Sequence, residues 1–207
     1  MDVKDFANEL ERKSREVDNL MRRKLPVLVG RMAKDHYQDN FRKGGFLNDG
    51  LHPWPVTRRQ SEGSLSAESQ YGPLLSRRNH LFSSVKYTPG DYRVTVSNDL
   101  PYAAIHNLGG ETHPTVTPRM RRFAWAMYYR AQGIKKSAAG GKKKPKNGKP
   151  MPAIETPSAQ FWKGLALTKK TKLTIRIPQR QFIGESNDLD RRINERIANE
   201  LNKIIDV

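Results

Sequence analysis

The side chains best suited to acid–base or metal chemistry in this chain are its five histidines. They are His36, His52, His80, His106 and His113. None forms a helical metal-binding pair such as His-Glu-x-x-His, and the chain has no cysteine, which excludes disulfides and thiolate metal sites. A triad of Asp99, His106 and a serine at 83 or 84 would need a positioned nucleophile, and no nucleophile elbow is present. We therefore predict that His106 is hydrogen-bonded at a turn, and that the chain has no catalytic activity and no cofactor.

The charged residues favour a role in binding or assembly. The 207 residues carry 38 Lys+Arg against 21 Asp+Glu, a formal net charge of +17. Residues 112–184 hold 17 of the basic residues and a single acid, Glu155. The Lys-rich part supplies the candidate contacts to DNA or to an acidic partner: Lys135, Lys136, Lys142, Lys143, Lys144, Lys146 and Lys149. A polyanionic partner is the natural interpretation, although a flexible insertion that only improves solubility would have the same composition.

The elements that must position these residues are organised around a β-hairpin. Polar and apolar residues alternate over 84–87 and 92–97, which indicates two strands with one buried face. Thr88-Pro89-Gly90-Asp91 between them predicts a type II turn with Gly90 in the left-handed position. In that register, Val85 and Tyr87 share a face with three residues of the second strand. Those residues are Tyr92, Val94 and Val96.

A specific motif follows the hairpin. The strand ends at Asn98-Asp99-Leu100-Pro101. A short apolar stretch follows, Tyr102-Ala103-Ala104-Ile105-His106-Asn107-Leu108, and Gly109-Gly110 closes it. This pattern resembles the phage virion morphogenesis, or tail completion, family (the Mu G-like group). Two further parts of the chain carry the resemblance, Leu74 to Val85 and Arg180-Gln181-Phe182-Ile183-Gly184-Glu185-Ser186. The chain has Asn79-His80 where that family usually has Thr-Gly.

The resemblance implies a set of structural motif residues and no catalytic ones. The set is Tyr102, His106, Gly109, Gly110, Arg180, Phe182 and Gly184. The residue types themselves add two expectations. The planar fork of Arg180 can bond carbonyls or a carboxylate, and Gly184 is expected to need a backbone conformation that other residues resist.

Helical patterns flank the motifs. Asp2 can cap a helix that begins at Val3. Pro26 predicts a kink or break near Lys24 and Leu25. A second helix follows the kink, and Gly44-Gly45 ends it. The apolar stripe of these helices fits packing in the core or against a neighbouring subunit. Thr117 and Pro118 open a further helix, and Ser186 or Asn187 caps a C-terminal one whose stripe is Leu189, Ile193, Ile197, Leu201 and Ile204.

The remaining segments are predicted as strands and loops. Residues 112–116 and 173–177 are predicted as strands, and residues 151–167 as irregular, with Trp162 as an anchor. Residues 46–70 are loop-like, and Trp54 between two prolines is expected to anchor this loop on the core, with ligand stacking as the alternative.

The predicted fold class is α+β. It combines long N-terminal helices kinked near Pro26, a small antiparallel sheet built on the hairpin, a basic insertion and a C-terminal helix. The predicted division has an N-terminal helical region at 1–45, an α+β core at 46–132 and 151–207, and a basic Lys/Gly/Pro-rich insertion or arm at 133–150. The mean hydropathy of −0.79 is low for a compact monomer, as expected of a protein that completes its core in an assembly.

Two functions from different classes fit the sequence. The resemblance implies a structural virion protein of a tailed phage, acting in an oligomeric ring (six- or twelve-fold) at the neck that joins the DNA-filled head to the tail. Its partners would be other neck, connector or tail proteins, and packaged double-stranded DNA. The alternative is a basic nucleic-acid-binding protein or a non-virion assembly factor. No apolar run reaches the length of a membrane span, so we expect no membrane partner, assembly in the host cytoplasm and a final place in the virion.

Overall fold

The computed structural model describes three ranges of the chain: 2–61, 70–133 and 156–205. Two compact units are present, one of residues 1–110 with 177–207 and one of residues 111–176. The predicted α+β class is confirmed, with a long N-terminal helical region and a C-terminal helix. In the described residues the strands form three separate two-stranded sheets, where one small sheet was expected.

The described elements follow one another in this chain order: α1 (Val3–Asn19), a π-helical turn (Leu20–Lys24), α2 (Leu25–Lys43), β1 (Gly45–Leu47), β2 (Leu51–Pro53), α3 (Arg58–Ser61), α4 (His80–Ser83), β3 (Val85–Gly90), β4 (Arg93–Asn98), α5 (Ala103–Leu108), β5 (Gly110–Thr112), α6 (Pro118–Ala131), α7 (Pro157–Leu167), β6 (Ile175–Ile177) and α8 (Asn187–Ile205). β1 pairs with β2, β3 with β4, and β5 with β6.

The N-terminal helix stays helical through Pro26 by changing its hydrogen-bond spacing. Asp2 caps α1 by accepting a bond from the backbone N–H of Val3. The N–H of Leu25 donates to the carbonyl of Leu20, a spacing of five residues that defines the π-helical turn. Pro26 has no N–H to offer the preceding turn, so the predicted irregularity takes the form of a π-helical turn without a break. Gly44 then ends α2 in the left-handed conformation, at φ 68°.

The β3–β4 hairpin packs one face against α2. Its register pairs Val85 with Asn98 and Tyr87 with Val96, so Val85, Tyr87, Val94 and Val96 share a face as predicted. Tyr92, which was predicted on the same face, lies in the turn instead. A Cβ atom on Gly30 of α2 would lie 2.4 Å from Cδ2 of Tyr87 and 2.8 Å from Cγ2 of Val94. The absence of a side chain at position 30 is therefore what lets the hairpin lie this close to the helix.

The predicted turn of this hairpin is wrong by two residues. Pro89 and Gly90 belong to β3, where Gly90 pairs with Arg93, and Tyr92 holds the left-handed position at φ 56°. Contacts with the N-terminal helix explain the shift. The N–H of Tyr92 donates to the carbonyl of Arg22 at 3.4 Å, and its hydroxyl donates to Asp18. Tertiary bonds thus decide where the turn falls, because they compensate for the conformational cost of a left-handed tyrosine.

The core of the first unit is built around Phe41 of α2, which is fully buried. Its ring lies 5.0 Å from that of Phe182 and 5.6 Å from that of Trp54. Leu81 and Val85 complete the contact from α4 and β3. The sequence segments that carry the family motifs therefore meet in one aromatic core.

Residues 46–53 were predicted as part of a loop and instead belong to the β1–β2 hairpin. Its turn has Asp49 at φ 51° and Gly50 at φ 124°, and Asp-Gly is a strong hairpin signal. Trp54 then anchors the following segment, as predicted, with only 7% of its surface exposed. Asn79 stands directly before α4 in the left-handed conformation, at φ 48°, and bonds Ser76 through both its backbone and its side chain.

The second unit contains α6 and α7, which pack against each other. Thr117 caps α6 and Pro118 opens it, as predicted. The prediction of irregular structure over 151–167 is wrong for its described part, because α7 begins at Pro157 with Thr156 as its cap. Trp162 of α7 packs edge-to-face on Phe123 of α6, with ring centroids 5.8 Å apart.

Candidate functional site

The motif residues meet at the segment 180–186, called here the closing loop, in the first unit. Asn107 binds its backbone at three points. The Oδ1 atom accepts from the N–H groups of Phe182 (2.8 Å) and Ile183 (3.0 Å), and the Nδ2 group donates to the carbonyl of Ile183 (2.9 Å). One amide side chain thus replaces the strand partner that this irregular segment lacks.

Three further side chains each bond another carbonyl of the closing loop. Trp54 donates to Gln181 at 2.8 Å, Asn40 donates to Phe182 at 3.2 Å, and the hydroxyl of Tyr37 donates to Gly184 at 2.8 Å. Asn40 and Tyr37 lie on the buried side of α2. Since a buried backbone group without a partner is costly, these bonds fix the conformation of the loop.

Arg180 ties the closing loop to the segment after β2. Its Nε and Nη2 atoms both donate to the carbonyl of Pro55, at 3.0 and 2.8 Å, and 7% of the residue is exposed. Burial lowers the pKa of Arg180, and the positive charge of Arg59 lowers it further. The guanidinium remains protonated at neutral pH and so acts here as a structural donor.

The three motif glycines differ in their backbone conformation and in what a side chain at their position would contact. Gly109 is left-handed at φ 74°, and a Cβ atom there would lie 2.9 Å from the backbone nitrogen of Gln179. Gly110 has φ 145°. Gly184 does not have a positive φ, so the expectation of a special backbone conformation is wrong at this residue. A Cβ atom at position 184 would instead collide with the side-chain amide of Gln181, at 2.0 Å.

His106 is bonded to the closing loop through its backbone. Its carbonyl accepts from the N–H of Arg180 at 2.8 Å, and its ring packs edge-to-face on Tyr102 with centroids 6.1 Å apart. The Nδ1 atom is buried and has no hydrogen-bond partner. Burial lowers the pKa of His106, and the nearby Arg180 lowers it further, which keeps the ring neutral at physiological pH.

The considered triad is not assembled in the structure. Asp99 forms an ion pair with Lys86, and the hydroxyl of Ser83 donates to the carbonyl of His80. Asp99 lines one surface cleft with Ser83 and Ser84, whereas His106 lines another. Among the residues that the structure describes, no group of His, Asp or Glu side chains is arranged to hold a metal ion, and no helix is long and apolar enough to cross a membrane.

The Lys-rich candidate contacts lie outside the described residues. These are Lys135, Lys136, Lys142, Lys143, Lys144, Lys146 and Lys149. The described part of the same basic region includes four exposed arginines on α6: Arg119, Arg121, Arg122 and Arg130. None of the four forms an ion pair with a described residue, whereas the arginines of α1 pair with acids, as Arg12 does with Glu9 and Glu16.

The N-terminal helix leaves part of its apolar stripe exposed. Val3, Phe6 and Leu10 are 82%, 59% and 60% exposed, although they continue the stripe that buries Leu20 at the π-helical turn. Lys13, farther along α1, reaches the end of α8 and donates to the carbonyl of Ile205 at 3.0 Å. The first turns of α1 therefore present an apolar face that no described residue covers.

Sequence reasoning missed the three amide and hydroxyl side chains that hold the closing loop, namely Asn107, Asn40 and Tyr37. A signal was available for Asn107, which is a polar residue inside an otherwise apolar stretch, two positions before Gly109. Asn40 and Tyr37 had no such signal, because a helical pattern does not show which polar residues will face a distant loop.

Comparison with protein families places these features in a known group. The model of the phage virion morphogenesis family matches residues 1–202. The chain therefore belongs to this family, whose members are generally structural and non-catalytic. A search of curated proteins and a search of solved structures each gave no match.

Proposed function

We propose that this protein is a structural component of the neck of a tailed phage, acting in an oligomeric ring that completes the joint between the DNA-filled head and the tail. The observation that carries the proposal is the family match over residues 1–202. The mechanism is assembly without a chemical reaction. Its partners are further copies of itself, in six- or twelve-fold order, and adjacent neck, connector or tail proteins.

The closing loop supports this role by making the first unit rigid. Four side chains from three separate parts of the chain fix its backbone: Tyr37, Asn40, Trp54 and Asn107. A ring under load needs subunits whose shape is determined before assembly, because each interface repeats around the ring. The exposed apolar face of α1 offers a surface for a neighbouring copy, since contiguous apolar surface often marks an interaction site.

A joining assay tests the proposal directly. Phage that lack the protein should accumulate DNA-filled heads and finished tails that remain separate, and purified protein added to such an extract should restore joined particles. Heads that join tails at the normal yield without the protein would contradict the neck role.

Binding of nucleic acid is a second candidate function, favoured by the single acid among residues 112–184. Replacement of Lys142, Lys143, Lys144 and Lys146 by serine tests the contribution of the Lys-rich segment. A weaker and less salt-dependent affinity for duplex DNA would support this candidate, since each lost phosphate contact lowers the salt dependence. Unchanged binding would show that the Lys-rich segment does not contribute to nucleic-acid binding.

A further inference from the structure

Three of the four arginines of α6 lie at its N-terminal end, where they oppose the stability of their own helix. Arg119, Arg121 and Arg122 lie within the first five residues of α6, and no acidic residue lies in its first turn. The N-terminus of a helix carries a partial positive charge, so cations there are unfavourable. In contrast, α1 has Asp5 in its first turn and α8 has two acids there.

The remaining charges near α6 do not compensate for this arrangement. Glu111 is the one acid among the described residues of the second unit. The bridge between Thr115 and Lys172 places the basic segment that contains Lys169 and Lys170 beside the residues that lead into α6. The sequence therefore concentrates positive charge at one end of the unit at a cost in local stability, and such local conflicts are expected where a ligand supplies the missing charge.

Three of the arginines share the solvent side of the helix. At 100° per residue, Arg119, Arg122 and Arg130 fall opposite the buried positions Ala124 and Tyr128. They are spaced roughly 4.5 Å and 12 Å apart along the axis at a rise of about 1.5 Å per residue. This row of exposed guanidinium groups is called here the arginine face.

We infer that the arginine face, extended by Lys169, Lys170 and Lys172, binds the phosphate backbone of nucleic acid without reading its sequence. Arginine forks match phosphate oxygens in bidentate pairs. A duplex presents about one charge per 1.7 Å of its axis, so a row of arginines on one side of a helix meets phosphates at several points without a particular register. This favours a polyphosphate over an acidic protein, whose carboxylates would have to match the row individually. The inference is independent of the neck role, because joining and DNA binding are measured separately.

The test compares two full-length variants that lose the same charge. R119Q/R122Q/R130Q removes the arginine face, and glutamine keeps a good helix propensity. R15Q/R23Q/R31Q is the matched control, because these arginines are also exposed but lie in the first unit, where Arg15 and Arg23 are near acids. Binding of a labelled 30-base-pair duplex is measured between about 50 and 200 mM salt by fluorescence anisotropy, with cooperative unfolding as the check that each variant is folded.

The expected result is a salt slope lower by roughly 3 for the arginine-face variant, at about 0.9 per phosphate contact, with affinity at least about tenfold weaker. The control should keep its slope within about one. The comparison is repeated with Lys142, Lys143, Lys144 and Lys146 replaced by serine, so that the Lys-rich segment does not dominate the binding. Equal slopes for the two variants in both backgrounds would overturn the inference. So would displacement of the duplex by polyglutamate as effectively as by unlabelled duplex, which would indicate an acidic protein partner.

Discussion

At the scale of single residues, Asn107 determines the path of the closing loop. Its amide accepts two backbone N–H bonds and donates a third bond to a carbonyl. Replacement by alanine would leave two N–H groups and one carbonyl without these partners. We expect N107A to lower the free energy of unfolding by about 2–4 kcal/mol, since each unsatisfied buried group costs about 1–3 kcal/mol.

The measurement for Asn107 is urea denaturation, with N194A as the matched control. Asn194 is exposed on α8, so its replacement should change stability by less than about 0.5 kcal/mol. Equal stability of the two variants would show that the closing loop does not depend on the Asn107 amide.

A second prediction at this scale concerns His36, which is buried, and His106, which is partly buried. Burial lowers the pKa of His36 and of His106, and Arg192 and Arg180 respectively lower them further. The folded protein therefore resists protonation that the unfolded chain accepts. Stability should be at its full value above the ordinary histidine pKa of about 6.5 and should fall as the pH drops from 7 towards 5, because unfolding then takes up protons.

The pH dependence is checked by measuring the free energy of unfolding at several pH values between 7.5 and 5. The variant H36Q/H106Q has no imidazole at either site and should lose most of the decline over this range, whatever its absolute stability. A decline of the same steepness in the variant would assign the effect to other groups.

At the scale of the elements, two helical glycines provide a matched pair. A Cβ atom at Gly30 would collide with Tyr87 and Val94, whereas one at Gly164 of α7 would meet nothing within 4 Å. We expect G30A to destabilise the protein by about 1–3 kcal/mol through overpacking. G164A should be neutral or stabilising by up to about 1 kcal/mol through helix propensity.

Thermal unfolding of both variants checks this prediction. The two substitutions are chemically identical and both lie in helices, so propensity alone would raise both melting temperatures. A raised melting temperature for G30A would show that the β3–β4 hairpin does not pack on α2 as described.

The elements also show what the sequence could predict. Local signals were sufficient for α1, α6 and α8. Asp2 and Thr117 cap the first two of these helices, and Ser186, one of the two predicted caps of α8, accepts a bond from the N–H of Leu189. The same Thr-Pro signal stands at Thr156 and Pro157 before α7, but residues 151–167 were nevertheless predicted as irregular. The turn at Tyr92 could not be predicted, because it depends on Asp18 and Arg22, about 70 positions away in the sequence. The hydrogen bonds of Asn40 and Tyr37 to the closing loop were hidden for the same reason.

At the scale of the whole molecule, a variant of the exposed apolar face of α1 shows whether this face contributes to the stability of the subunit or to its assembly. Phe6 and Leu10 are 59% and 60% exposed, so F6S/L10S should leave the unfolding transition of the subunit nearly unchanged. If this face meets a neighbouring copy, as the proposed ring requires, the variant should shift to a smaller mass in light scattering at equal concentration.

The matched control for this face is V56S/L108S, since Val56 and Leu108 are 67% and 69% exposed elsewhere on the first unit. The control should keep the mass of the parent protein. An unchanged mass for F6S/L10S would show that this face of α1 is not part of the subunit interface.

The most direct test of the neck role is the copy number of this protein in purified phage particles. It can be measured by quantitative mass spectrometry against a ring protein of known stoichiometry. The proposed function predicts a low and fixed number that matches six or twelve copies per particle. Absence from mature particles, combined with abundance in infected cells, would contradict a place in the finished joint and would indicate an assembly factor instead.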